Sequence, residues 1–206
     1  MNDVLQKLLL AIIAIPLLTS CVVYKQTDYP PTWGQLKKEI GSDLNGIYFC
    51  EGDVESDAYI TSEKHDNNLG YLLFGQAAQE STTVSLQIDE NDNIFINAFR
   101  HDTLIFRKTL VKDIDFTKEN GWITIENKFT GAGPGVVGQQ QTLKQIRLSE
   151  NGNLIIKRTE SGFGIVIIVP AGGSAVYWYR YKKKTDHNLP IPFPFNSPQQ
   201  GGDSNE

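Results

Sequence analysis

One thiol and one row of tyrosines are the groups in the body of this chain that could do chemistry. Cys50 ends the apolar stretch 47–50, where a thiol is either a small buried apolar group or, beside a base, a nucleophile. Tyr177, Tyr179 and Tyr181 alternate, so they would share one face of a strand. Such a row either contacts a ligand or packs into a core. We favour burial in the core for the thiol and for the tyrosines.

The remaining polar residues form no recognisable catalytic or metal-binding pattern. The three histidines, His65, His101 and His187, have no zinc-ligand spacing with each other or with a cysteine. Asp113 and Asp115 are two residues apart and could pair as acid and base on a strand, although a solvated strand face is the alternative. The sequence therefore predicts no catalytic residue, no metal and no cofactor.

The N-terminal segment has the layout of a secretory signal. Lys7 precedes the apolar run 8–18, which then meets Leu18-Thr19-Ser20-Cys21. A core helix would show polar residues at every third or fourth position, and this run shows none. It is also shorter than the roughly 20 apolar residues that a transmembrane helix needs.

The junction at Cys21 resembles the lipobox of bacterial lipoproteins, which has an aliphatic residue, two small residues and then a cysteine. The resemblance implies that residues 1–20 are removed as a signal peptide and that Cys21 carries a diacylglycerol, with a fatty acid such as palmitate on the new amino terminus. Two or more chains would hold the protein stably in a membrane. The next residue is Val22 and not Asp, which in such lipoproteins favours the outer membrane.

Charge and cysteine count limit the partners of the chain. It has 206 residues and a net charge of −5, which offers no electrostatic surface for nucleic acid. If Cys21 is acylated, Cys50 has no partner for an intrachain disulfide. We therefore expect the membrane, reached through Cys21, as a partner, together with an envelope protein or a small apolar ligand.

The residue pattern after the lead-in indicates strands and turns. Apolar and polar residues alternate over 84–88, and the polar segments 90–93 and 150–153 are typical of hairpin loops. The sequence predicts a mostly β fold, a single antiparallel β-barrel or sandwich of about 8–10 strands with a short helical lead-in near 33–40. The predicted strands are 46–51, 69–74, 84–88, 94–99, 103–111, 122–127, 142–148, 154–158, 164–169 and 175–181, with a glycine-rich loop at 131–138 and a turn at 170–174.

The chain divides into four predicted segments. These are the signal peptide 1–20, a lipidated tether and lead-in 21–42, the β-domain 43–185 and the tail 186–206. Alternate prolines in the tail oppose a helix and a strand ladder, so we predict disorder there.

Two further resemblances concern the body. Pro30-Pro31-Thr32-Trp33 and the segment 43–48 are similar to the opening of uncharacterised proteobacterial lipoproteins, which imply no activity. Gly46-Ile47-Tyr48 is similar to the Gly-x-Trp of lipocalins, eight-stranded barrels that bind apolar ligands.

These observations lead to one expected function and two alternatives. The first is a lipoprotein of the outer membrane whose β-domain faces the periplasm and acts as a binding or assembly module. The second is a lipocalin-like carrier with a hollow interior, in which Tyr177, Tyr179 and Tyr181 would line the ligand site. The third is a hydrolase of envelope polymers, which would need Cys50 beside a histidine or two convergent carboxylates.

Overall fold

The computed structural model describes residues 21–22, 28–56, 67–133, 136–166 and 169–185, and it confirms a mostly β fold. Neighbouring strands are antiparallel, except that the two-residue strand β1 is parallel to β11. The described strands are β1 Cys21–Val22, β2 Gly46–Phe49, β3 Asp53–Ser56, β4 Thr83–Ile88, β5 Ile94–Arg100, β6 Thr103–Leu110, β7 Thr117–Glu119, β8 Trp122–Gly133, β9 Val136–Leu148, β10 Leu154–Val166 and β11 Val169–Tyr181.

The strands form two sheets. The larger has the order β1-β11-β10-β9-β8-β7, with β3 also paired to β11, and the smaller has the order β2-β4-β5-β6. The chain leaving β11 joins them, because the Phe49 N–H donates to the Lys182 carbonyl (3.0 Å) and the Lys184 N–H to the Ile47 carbonyl (2.7 Å). Within the described residues the strands do not close into a barrel, and the arrangement is sandwich-like.

The core lies between the two sheets. Period-two alternation turns one face of each strand inward, so Leu86 and Ile96 of the smaller sheet face the same buried cluster as Ile146 and Ile156 of the larger. Both predicted hairpin loops are confirmed. The polar segment 90–93 connects β4 to β5, and 150–153 connects β9 to β10, with Gly152 at φ +77° where a side chain would be strained.

Leu69–Phe74 is a helix, α1, so the strand predicted there is wrong. The Asn68 side chain caps this helix by accepting a hydrogen bond from the Tyr71 N–H (3.0 Å). Leu69 and Leu72, three positions apart, are both buried. A six-residue apolar run does not distinguish a strand from a buried helix by its pattern, and this run has no β-branched residue to favour a strand.

The last four strands are longer than their sequence pattern predicts. The predicted loop 131–138 is mostly strand, because β8 runs to Gly133 and β9 begins at Val136. The predicted turn 170–174 is also wrong, since it lies inside β11, and the predicted strand 164–169 spans the end of β10 and the start of β11. Glycines permit this pairing, because a Cβ on Gly172 would approach the Gly162 carbonyl oxygen to 3.0 Å.

The part of the lead-in from Tyr29 to Leu36 packs on the outer face of the larger sheet. Short 3₁₀ turns occur at Pro31–Trp33 and Ser42–Leu44, and not at 33–40 as predicted. Trp33 packs against Ile155, Val176 and Trp178 in a second, smaller apolar cluster. The Lys37 N–H donates to the Leu148 carbonyl (2.8 Å), which fixes the lead-in beside the β9–β10 hairpin. The predicted signal peptide 1–20 and tail 186–206 lie outside the described residues.

Candidate functional site

The tyrosine row of β11 is mostly buried in the core. Tyr179 and Tyr181 are 1% and 0% exposed and their rings stack with centroids 6.3 Å apart. Tyr177 is half-buried at the edge of the same cluster, while Trp178 packs on the opposite face. At Tyr179 and Tyr181 the row therefore fills the space between the sheets, and only Tyr177 reaches the edge of the core.

A group of charged side chains lies beside Tyr177 at the edge of the core, at a place we call the mouth, which comprises Lys108, Lys144, Arg158, Glu160 and Tyr177. Lys144 and Arg158 are directly opposed on β9 and β10, in register with Tyr177 on β11. Arg158 forms an ion pair with Glu160, and its guanidinium carbon lies 5.9 Å from the centre of the Tyr177 ring. The Arg158 Nε is buried without a hydrogen-bond partner in the described part of the chain.

The mouth has an excess of positive charge at a half-buried position. Burial, together with the nearby charges of Arg158 and Lys108, lowers the pKa of Lys144 to about 8, against the opposing effect of Glu160. Three cations face one carboxylate here. The chemistry that fits this arrangement is the binding of an anionic group, which would relieve the repulsion around Lys144.

We expect Lys144→Met to stabilise the fold at neutral pH and to remove a pH-dependent contribution to the free energy of unfolding. The folded pKa of Lys144 is about 8, below its ordinary value of 10.5, so the unfolded state binds more protons between these two pH values. The stability of the wild type relative to Lys144→Met should therefore rise with pH across that interval. Urea unfolding of both proteins on either side of pH 8 measures this difference.

Lys38→Met is the matched control, because Lys38 has an exposed side chain outside the mouth. The difference in unfolding free energy between Lys38→Met and the wild type should not follow the pH dependence expected for Lys144→Met. If the difference in unfolding free energy between the wild type and Lys144→Met did not change with pH, the lowered pKa assigned to Lys144 would be wrong.

Cys50 lies in a small polar cluster at the start of α1. Its Sγ is 3.2 Å from the Ser81 Oγ, which in turn donates to the Ala78 carbonyl at 2.7 Å. The Cys50 carbonyl accepts from the Leu69 N–H (2.8 Å). Because its thiol contacts Ser81 and the Gly70 backbone of the helix, Cys50 is 1% exposed, as the sequence predicts for a structural thiol.

A groove of about 790 Å³ adjoins this cluster, but Cys50 has little nucleophilic character in it. Burial raises the pKa of the thiol, and the hydrogen bonds from Ser81 and the Gly70 backbone offset this only in part. His101 lies in the exposed turn between β5 and β6, while His65 and His187 are outside the described residues. The groove is lined by Phe49, Cys50, Glu51, Asn67, Asn68, Gln79, Ser81, Thr82 and Lys182.

The two carboxylates considered as an acid/base pair do not lie on a strand. Asp113 and Asp115 are in the turn between β6 and β7, where Asp115 accepts a hydrogen bond from the Val111 N–H (2.8 Å). Across the described ranges, no three histidine, cysteine, aspartate or glutamate side chains are grouped so as to hold a metal ion.

The far ends of β8 to β11 form what we call the arm: residues 129–133, 136–143, 161–166 and 169–175. The core stops short of it, since the last rows that pack against the core contain Ile125 and Tyr177. Apolar side chains of the arm are exposed, with Phe129 at 67%, Phe163 at 65% and Val137 at 59%.

The backbone of Cys21 is paired to this arm. β1 adds to the edge of β11 with Cys21 opposite Gly172, and Gly172 is itself opposite Phe163 of β10. The expected lipidation residue is therefore in register with an exposed apolar side chain of the arm.

Comparison with known proteins gives no relative from which to infer a role. No family model, curated protein or solved structure matches the chain. Among the described residues, no helix is long and apolar enough to cross a membrane. The geometry of the mouth and of the arm is therefore the basis for the function proposed below.

Sequence reasoning missed the mouth, although one signal for it was available. Lys144 is two residues before Ile146, and Arg158 is two residues after Ile156, so period-two alternation alone places both charges on the core-facing side. Lys108 lies two residues before the buried Leu110, so the same alternation places it on the core-facing side of β6, but its position near Lys144 depends on how the two sheets stack.

Proposed function

We propose that this protein is a lipoprotein of the cell envelope, anchored through Cys21 in the outer membrane, with a periplasm-facing β-domain that acts as a binding or assembly module. The observation that carries the proposal is the pairing of Cys21 with Gly172 beside the exposed Phe163. This pairing brings the expected lipid attachment point to an apolar end of the domain, where a membrane would be met. The charged mouth is then available to a partner with an anionic group.

The two alternatives receive less support from the same residues. A lipocalin-like carrier needs an open interior, whereas Tyr179 and Tyr181 occupy the space between the sheets. A thiol hydrolase needs a thiolate, whereas burial raises the pKa of Cys50.

The proposal predicts that Cys21→Ser abolishes acylation and membrane anchoring. Serine has no thiol to accept the diacylglycerol, so the variant should keep residues 1–20 and should take up no radioactive palmitate. Gel mobility, palmitate labelling and partition into detergent measure the three consequences.

Cys50→Ser is the matched control, since it removes the other thiol of the chain. It should be labelled and partitioned like the wild type. If Cys21→Ser still incorporates palmitate, or if Cys50→Ser loses the label, the anchoring proposal is wrong.

A further inference from the structure

The sequence of the arm contains no charge. From Phe129 to Leu143, and again from Ser161 to Tyr179, no residue is acidic or basic, although 21% of the whole chain is charged. Charged residues resume directly below the arm, at Lys128, Lys144 and Glu160. A water-exposed sheet normally carries charge on its solvent face. The uncharged arm is therefore suited to a less polar environment than the charged part of the sheet below it.

The end of the arm is its most apolar part. The chain that connects β10 to β11 reads Ile165-Val166-Ile167-Ile168-Val169-Pro170-Ala171, and the connection of β8 to β9 reads Gly133-Pro134-Gly135-Val136-Val137. The described strand ends that flank both connections lie at the same end of the sheet, because Val136 is opposite Gly133 of β8 and Val166 of β10, and Val166 is opposite Val169 of β11. The apolar ends of these four strands therefore lie next to each other.

We propose that the end of the arm enters the lipid bilayer beside the acylated Cys21, as a second membrane contact of the protein. The inference rests on the proposed function, because the anchor supplies the nearby bilayer. Cys21 pairs with Gly172, three to four residues from the hairpin end, so the acyl chains and the apolar hairpins would meet the same leaflet. Membrane binding strengthens with the apolar area that is buried, so an apolar hairpin end would add to the contact that the acyl chains already make.

The strand geometry limits how deep the arm can go. Phe129 to Gly133 spans about 13 Å at roughly 3.3 Å per residue, less than half of the approximately 30 Å hydrocarbon core. In the described chain, the edge of β8 from Ile125 to Gly133 has no strand partner, since β7 pairs only with residues 122–124. Unpaired backbone groups are costly in hydrocarbon. Only the hairpin ends therefore enter the acyl region, while Phe129 and Phe163 stay at the level of the head groups.

Tryptophan reporters test the position of the arm. Val137→Trp places an indole near the hairpin end, and Glu150→Trp places one in the β9–β10 hairpin, at the opposite end of the same strands. The acylated full-length mature proteins would be reconstituted into vesicles of phosphatidylethanolamine and phosphatidylglycerol containing brominated phosphatidylcholine. The wild-type signal of Trp33, Trp122 and Trp178 would be subtracted.

We expect the Val137→Trp emission to shift to the blue and to lose intensity with bromines in the acyl chains, while Glu150→Trp does neither. Phe163→Trp, at another exposed position, should be quenched most by bromines nearest the head groups, and it replaces Val137→Trp if that variant does not fold. The inference is overturned if bromines do not quench Val137→Trp. It is also overturned if the Val137→Trp emission is already blue without vesicles, because the chain itself or a second copy would then cover the arm.

The mass of the N-terminal peptide separates this inference from the proposed function. Acylated protein with unquenched arm reporters overturns the arm contact alone. Protein without acyl groups but with a quenched Val137→Trp overturns the lipoprotein proposal and leaves the arm contact standing.

Discussion

Tyr181→Ala is expected to lower the free energy of unfolding by about 3–5 kcal/mol, the range for replacing a large buried aromatic by alanine. The ring of Tyr181 is 0% exposed, stacks on Tyr179 and lies so close to Gly52 that a Cβ there would be 2.5 Å from it. Removing it leaves a cavity that neighbouring strands cannot fill without breaking their pairing. Urea unfolding followed by circular dichroism measures the loss.

Tyr181→Phe separates the ring from its hydroxyl. The Tyr181 hydroxyl is buried, and no group in the described ranges hydrogen-bonds to it, so its removal should be neutral or stabilising, by at most about 1–3 kcal/mol. Tyr177→Ala should cost less than Tyr181→Ala, because Tyr177 is half-buried. A Tyr181→Phe loss as large as that of Tyr181→Ala would show that the hydroxyl, and not the packed ring, is the stabilising group.

Gly70→Ala should destabilise the protein by about 1–3 kcal/mol, the usual cost of overpacking a core. In an exposed helix the same change stabilises by up to about 1 kcal/mol. At this position, however, the new Cβ would lie 1.9 Å from the Ser81 Oγ and 2.5 Å from the Ala78 carbonyl oxygen. Ser81 cannot easily move away, because its hydroxyl is bound to that carbonyl and contacts the Cys50 thiol.

Thiol reactivity gives Gly70→Ala a second readout. Displacement of α1 should expose Cys50, which in the wild type is expected to react slowly with a bulky thiol reagent until the protein is denatured. Gly41→Ala is the control, since a Cβ there would have no atom within 4 Å and the backbone φ is −140°. Equal stability and equal labelling of the two variants would rule out the tight packing assigned to Gly70.

The sequence predicted the parts of the fold that depend on local pattern. Alternation identified the strands at Val84 and Ile94, and polar residues identified the hairpin loops between β4 and β5 and between β9 and β10. The apolar surroundings of Cys50 indicated its burial. Each of these signals is contained in fewer than ten neighbouring residues, which is why they could be read without the structure.

The parts that could not be predicted depend on contacts between distant segments. Leu69–Phe74 is a helix because Asn68 caps it and the core accepts its leucines, which the apolar run alone does not specify. The arm is extended because its strands pair with one another over glycines and glutamines, residues that give no periodic signal. Lys108 lies close enough to Lys144 to lower its pKa only because the two sheets stack, so this part of the mouth is a property of the tertiary structure.

The path of the lead-in has a mechanical consequence. Cys21 pairs at the level of the arm, whereas the Gln35 carbonyl accepts from the Glu150 N–H at the opposite end of the sheet, with Trp33 packed between these two points. Tension on an acylated Cys21 would therefore pull the lead-in lengthwise along the sheet and load the Trp33 cluster and these hydrogen bonds together, in shear. Tension applied at right angles to the sheet would instead peel the lead-in off one contact at a time, and the lead-in would detach at a lower force.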